Sequence, residues 1–327
     1  RACHAVSEWA DASGRIRVAL HFAEAAAAAD PEDPARANFA ARMCRREVMD
    51  QRAAAWYYRA FGLAKRSKDR QQQLYALLGY GTLLREVGRV KEGRRFTLKA
   101  ARLAGRSGRL REAAEAAHDL MLMDAEQGAL TRATQHADRA ERWYPVHHPR
   151  VIYFVHDFAF LLLRGRNFGL ALVLLEKALP LFQRPDESML VWSTLAWAAG
   201  GAGRPDRFAT AESVVLRGID HHAEFAPAAW LHLAEGARSC GRWATAAEYA
   251  ARAADASRMR KEPAMEHEAL ELSGMIAARR SAPDEVVPTD ETISLARRFT
   301  MRLRKAKAPD PQESRAHRNA PAEPSLS

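Results

Sequence analysis

Twelve histidines and three cysteines are the side chains best suited to hold a metal or act as nucleophiles, and their spacing argues against both. The adjacent pairs His147-His148 and His221-His222 come nearest to a ligand set. Neighbouring helical positions point about 100° apart, so neither pair closes on one ion without further ligands. Both pairs fall where helices should be joined, and they read as loop or capping residues. Cys3, Cys44 and Cys240 are isolated and odd in number, which fits neither a zinc site nor a disulfide framework and points to a reducing compartment. Gly79-Tyr80-Gly81 lacks the third glycine and the preceding strand of a dinucleotide fingerprint, and reads as a helix-packing site. Gly200-Gly201-Ala202-Gly203 reads as the turn of a helical hairpin rather than a phosphate loop. There is no Gly-x-Ser-x-Gly elbow, no P-loop and no His-Glu-x-x-His helix. The sequence thus predicts no catalytic residue, no metal, no cofactor and no small-molecule substrate: not an enzyme.

The elements that would carry these residues are helices. Of the 327 residues, 48% are apolar and 28% charged, enough to bury a core. Proline is absent from Gln71 to Tyr144, while Ala, Leu and Arg dominate, a helix-forming composition. Strand-favouring runs are nearly missing. The longest uncharged stretch, Ser188 to Gly203, is shorter than the roughly 20 residues a membrane-spanning helix needs. Fifty basic residues face 40 acidic ones, and they read as spread along the chain and interleaved with Glu and Asp, a solvated mixed surface. The chain begins at Arg1 without Met, so an upstream segment is expected to be missing; a bacterial, cytoplasmic protein is expected.

Self-similarity organises the rest. The clearest copy runs from Pro227 to Ser257: Trp230, Leu233, Ala234 and Ala237 on a first helix, then Gly241, Trp243, Ala246, Ala250 and Ala253 through the turn and second helix. The small residue following each turn recurs at 19, 53, 93, 133, 171, 211 and 246, giving about seven hairpins at a period between those of the tetratricopeptide and HEAT repeats. The order of glycine, aromatic and alanine through the turn resembles the tetratricopeptide motif, with long-period repeats similar to the sensor regions of bacterial transcription activators. That resemblance implies an all-α, right-handed α-solenoid of helix-turn-helix hairpins with a C-terminal capping helix. The expected organisation is a solenoid over residues 1–280, a linker over 281–288, a basic amphipathic capping helix over 289–306 and a disordered tail over 307–327.

In such a solenoid the first helices line an inner groove. Projected onto them, Asn38, Arg42, Arg45, Arg85, His118, Tyr153, His156, Arg164 and Arg238 fall on or near that surface and lean basic. The resemblance implies a non-enzymatic protein-interaction scaffold or adaptor that binds a protein or peptide, acidic or extended, in this groove. A second reading is the sensor or regulatory part of a larger signalling or transcription-regulatory protein. A third is nucleic-acid binding through Arg297, Arg298, Arg302, Arg304, Lys305 and Lys307 of the last helix. That strip lacks interleaved aromatics apart from Phe299, which reads as a packing residue, so nucleic acid is not the expected partner.

Overall fold

The computed structural model describes residues 2–145, 148, 150–281 and 284–305, the side chains of 185, 186 and 305 excepted. Every regular element among them is helical. Seven antiparallel hairpins succeed one another: α1 (Ala2–Ala12) with α2 (Ile16–Ala29), α3 (Pro34–Arg46) with α4 (Asp50–Arg66), α5 (Arg70–Glu86) with α6 (Val90–Arg106), α7 (Leu110–Glu126) with α8 (Leu130–Trp143), α9 (Val151–Arg164) with α10 (Phe168–Ala178), α11 (Pro185–Gly201) with α12 (Pro205–Gly218), and α13 (Ala226–Ser239) with α14 (Trp243–Arg260). Two further helices follow, α15 (Pro263–Ala277) and α16 (Asp290–Lys305). The chain forms two compact units, whose described residues are 2–85 with 89–104, and 86–88 with 105–305.

The hairpins close for the reason the repeat suggests. Ala19, Ala53, Ala133, Ala171, Ala211 and Ala246 have no solvent exposure, and Gly93 is buried at the equivalent place; small side chains there let paired helices approach closely. Each turn inside a hairpin contains one residue with positive φ. Glycine supplies it at 14, 88, 128, 203 and 241, but Val48 and Arg166 supply it in the second and fifth hairpins; the glycine of the fifth turn, Gly165, keeps a negative φ. Asp33 starts α3, its Oδ1 accepting the Ala35 amide at 2.8 Å with Pro34 at the first helical position. Thr289 starts α16 by accepting the Thr292 amide at 3.2 Å.

Two glycine sites are contacts between helices. Gly81 and Gly93 bring α5 and α6 so close that a Cβ on Gly93 would sit 2.5 Å from the Gly81 carbonyl oxygen. Gly200 corrects the sequence reading: it lies inside α11, not in a turn, and abuts Gly236 of α13. Only Gly203 of that glycine run sits in the turn, at φ 67°.

The second unit is tied together by its C-terminal part. Residues 284–289 cross the turn between α9 and α10, where the Val286 amide donates to the Arg166 carbonyl at 2.9 Å and Asn167 Nδ2 to the Val286 carbonyl at 2.7 Å. Glu285 Oε1 accepts the Gly169 amide at 2.6 Å, so a carboxylate from outside the helix caps α10 and offsets its dipole. The chain then lays α16 against α8 and α10. This helix covers the middle of the unit rather than its last hairpin. Phe299, fully buried, packs 4.8 Å from Phe154 and stacks 4.5 Å from Phe158; losing such a ring costs about 3–5 kcal/mol. The expected tail, 307–327, lies outside the described residues.

Candidate functional site

In the first unit the proposed groove residues are largely engaged with their own chain. Asn38 is buried, and its Nδ2 donates to the Gln72 carbonyl at 3.0 Å and to Gln72 Oε1 at 2.8 Å, joining α3 to α5. Arg42 bonds Asp11 Oδ2 at 2.9 Å and lies 4.7 Å over the Phe39 ring, while Arg46 takes the other Asp11 oxygen at 2.5 Å. Arg45 and Arg85 also make contacts within the protein. Asp11 therefore shares its two oxygens between α3 arginines, and the pairing ties the first hairpin to the second.

In the second unit, two of the predicted groove residues belong to a buried polar ladder that the sequence reading did not assemble. His118 on α7, His156 on α9, Thr194 on α11 and His232 on α13 occupy equivalent places on successive first helices, with the last two steps both 38 residues long. His118 Nε2 meets Asp157 Oδ2 at 2.8 Å, and His156 Nδ1 meets Asp157 Oδ1 at 3.0 Å. His156 Nε2 meets Thr194 Oγ1 at 3.0 Å, and His232 Nδ1 meets Ser193 Oγ at 3.0 Å. Both hydroxyls also donate to the Leu190 carbonyl, which leaves His232 Nδ1 to donate to them. Burial by itself would raise the Asp157 carboxyl, but hydrogen bonds from His118 and His156 outweigh it and hold the group well below the usual carboxylate range. Burial, with a smaller push from His156, lowers His232 to about 3. His118 is 3% exposed and His156 9%, so both face neighbouring helices and not an open groove. Tyr153 is spent similarly, donating to Glu187 Oε1 at 2.9 Å. His148, from the pair read as loop or capping residues, accepts the Arg150 amide on Nδ1 at 3.2 Å just before α9; His147 lies outside the described residues.

The remaining two groove residues come together at a cavity of about 230 Å³ lined by the ends of α7, α9, α11 and α13. Arg164 stands at its rim, 2.7 Å from Glu268 of α15, with 31% of the arginine side chain and 44% of the glutamate exposed. Arg238 lies deeper, nearly buried, and both its Nε and Nη2 reach Glu235 Oε2, at 3.0 and 2.6 Å. Burial raises Glu235 above the usual carboxylate range despite Arg238 beside it. Arg166, Trp197 and Phe168 complete the wall. Arg166 and Trp197 were not singled out from the sequence. Nothing in the spacing marks Arg166, whose exposure follows from its positive-φ turn.

Two arginines of the basic strip of α16 are engaged within the chain. Arg298 pairs with Asp138 at 2.5 Å and Glu141 at 2.9 Å, and Arg302 with Glu141 at 2.7 Å. These contacts fasten α16 to α8 and remove two of the cations on which the nucleic-acid reading rested; Lys307 is outside the described residues. Among the described residues no group of three or more His, Cys, Asp or Glu could hold a metal ion, and no helix is long and apolar enough to cross a membrane.

No protein-family model matches the sequence, and no curated protein matches it. Solved structures do. The apo form of RapI superposes with a TM-score of 0.63 at 12% identity, over 79% of this chain and 97% of that one. A chain of the APC/C hetero-tetramer Cut9-Hcn1 gives a TM-score of 0.52 at 14% identity, over 87% of this chain. This chain spans about half of that one, 52% of its length.

Proposed function

Since the chain has the fold of the tetratricopeptide-type repeat proteins, we propose that it is a non-enzymatic protein-binding scaffold whose second unit takes an acidic segment of a partner protein. The observation that carries this reading is the cavity at Arg164, Arg166, Trp197 and Phe168. Its volume, about 230 Å³, falls below the roughly 300–1,000 Å³ of small-molecule sites and suits one or two side chains. The Arg164–Glu268 pair is half-exposed, and such pairs contribute only about 0–1 kcal/mol, so an incoming carboxylate replaces Glu268 at little cost. Arginine suits the exchange because its planar fork bonds a carboxylate through two N–H groups. Trp197 and Phe168 offer aromatic walls for an adjacent apolar residue, the kind of anchor that dominates interfaces. Assembly with a second protein is what the name of the Cut9-Hcn1 hetero-tetramer describes for that neighbour.

The test is capture of the partner from native lysate by the full chain, followed by affinity measurement with the purified partner. The double variant Arg164→Glu, Arg166→Glu should weaken binding by about 2 kcal/mol or more, roughly 30-fold. Arg217→Glu on α12 should leave it unchanged. Equal binding by the wild type and the double variant removes the cavity from the site.

A further inference from the structure

The net charge of the chain is not spread as the sequence reading supposed. Between Asp50 and Arg106 there are 14 Lys and Arg against four Asp and Glu. That difference of ten equals the +10 of the whole chain, so the rest of the sequence is balanced. We propose that the outer face of α6 binds nucleic acid through its phosphate backbone, without regard to base sequence.

Lys91, Arg95, Lys99 and Arg102 follow one another at intervals of four, four and three, and all four are exposed. On a helix such positions share a face, and at 1.5 Å per residue they stand about 5–6 Å apart along roughly 17 Å. No hydrogen bond or ion pair joins Lys91, Arg95, Lys99 or Arg102 to an acidic group among the described residues, although Lys99 also lies 5.1 Å over the Phe61 ring. The one acidic residue of α6, Glu92, is taken by Arg89 at 2.7 and 2.8 Å. Like charges at this spacing oppose helix formation. The face is nonetheless held still, because the opposite side of α6 is buried at Gly93, Thr97, Ala100 and Ala104, and Gly93 is seated against the Gly81 backbone.

Phosphodiesters fit this face better than carboxylates or lipid. Protein interfaces deplete lysine and rely on buried apolar anchors, and the stripe presents cations alone. An amphipathic helix that enters a membrane inserts its apolar side, and here that side is packed on α5. A row of Lys and Arg without anchors is the composition of a surface that neutralises phosphates and reads no bases. Beside it, exposed Tyr58 overlies Tyr80 at 4.9 Å, and Tyr80 meets Phe96 of α6 at 4.8 Å, so an aromatic ring is at hand on which an unpaired base can stack.

The experiment is fluorescence anisotropy of the full chain with a DNA duplex of about 25 base pairs and with one of its strands, across salt from about 50 to 200 mM. Four neutralised phosphates give a log–log salt slope between about −3 and −4 and a fall of roughly 100-fold across that range. Replacing Lys91, Arg95, Lys99 and Arg102 together by Gln should abolish most of the slope and cost at least about 30-fold at the lowest salt. Removing repulsion along α6 should leave the melting temperature equal or higher, so lost binding is not lost folding. Arg297→Gln with Arg304→Gln on α16 should bind as the wild type does. Tighter binding of the single strand, weakened by Tyr58→Ala, assigns the natural ligand to unpaired nucleic acid; equal or tighter binding of the duplex assigns it to paired nucleic acid. The proposal is overturned if the fourfold variant binds as the wild type, if the α16 variant is the one that loses binding, or if polyglutamate or phosphatidylserine vesicles bind while both DNAs do not. These outcomes are independent of the Arg164–Arg166 result, which concerns the other unit and a protein ligand.

Discussion

Alanine in place of Gly200 is expected to destabilise the second unit by about 3 kcal/mol, the upper part of the range for overpacking a closed contact. The added methyl would lie 2.4 Å from the Gly236 carbonyl oxygen and 2.7 Å from its Cα. Both are backbone atoms of α13, so the clash is relieved only by moving one helix off the other, and α11 with α13 is the pairing that aligns the His ladder. Gly236→Ala meets the Phe208 ring at 2.6 Å and the Ala196 carbonyl at 2.8 Å and should behave alike. Gly274 of α15 has no neighbour within 4 Å of an added Cβ, so Gly274→Ala should instead stabilise by about 0.5–1 kcal/mol through the helix propensity of alanine. Urea unfolding of the three variants measures this. Similar midpoints for Gly200→Ala and Gly274→Ala would contradict the close α11–α13 approach.

The second large effect is on pH dependence. His232 is buried and lowered to about 3, whereas the unfolded chain titrates its histidines near 6.5. A depressed folded value means that its stability contribution is complete above about pH 6.5 and is lost as the pH falls toward 3, because only the unfolded chain takes up the proton. By pH 5 the loss from His232 alone is about 2 kcal/mol. His148, lowered to about 4 by burial and by Arg111 and Arg150, acts in the same direction. Asp157, held below the usual carboxylate range, adds a further loss only below about pH 4. His232→Phe keeps a ring to stack on Trp197, 5.6 Å away in the native protein, and leaves Ser193 and Thr194 bonded to the Leu190 carbonyl. Stability measured by urea at pH 7 and pH 5 should fall about 2 kcal/mol less in this variant than in the wild type. An unchanged fall would place the titration elsewhere.

What the sequence made legible is the part governed by local geometry. A closely packed hairpin demands a small residue just after its turn, so the run at 19, 53, 93, 133, 171, 211 and 246 could be read directly, and all seven are buried. Turns at Gly14, Gly128 and Gly241 are marked by glycine; Val48 and Arg166 adopt the same positive φ, which their residue types do not announce. The Gly200 contact is not legible in the sequence, because a glycine inside a helix and a glycine in a turn look alike until the facing helix is known. Projection onto first helices places Arg164 and Arg238 at one cavity wall, whereas the pairing of Arg42 with Asp11, 31 residues away on another hairpin, is not legible in the sequence. The ladder through His118, His156 and His232 did leave a trace, a 38-residue recurrence. Thr194 interrupts the run of histidines, so the recurrence does not stand out as a histidine cluster. The seat of α16 on α8 and α10 rests on pairs such as Arg302 with Glu141, 161 residues apart, which no local pattern encodes.

The central claim, that the cavity of the second unit holds a partner protein, is tested most directly by contact. A photo-crosslinking amino acid at position 166, on the cavity wall, and at position 217 of α12 should be illuminated with the full chain in native lysate. A covalent adduct with one partner protein from position 166, and none from 217, is the predicted result; an adduct from 217 alone, or the same adducts from both, would contradict it.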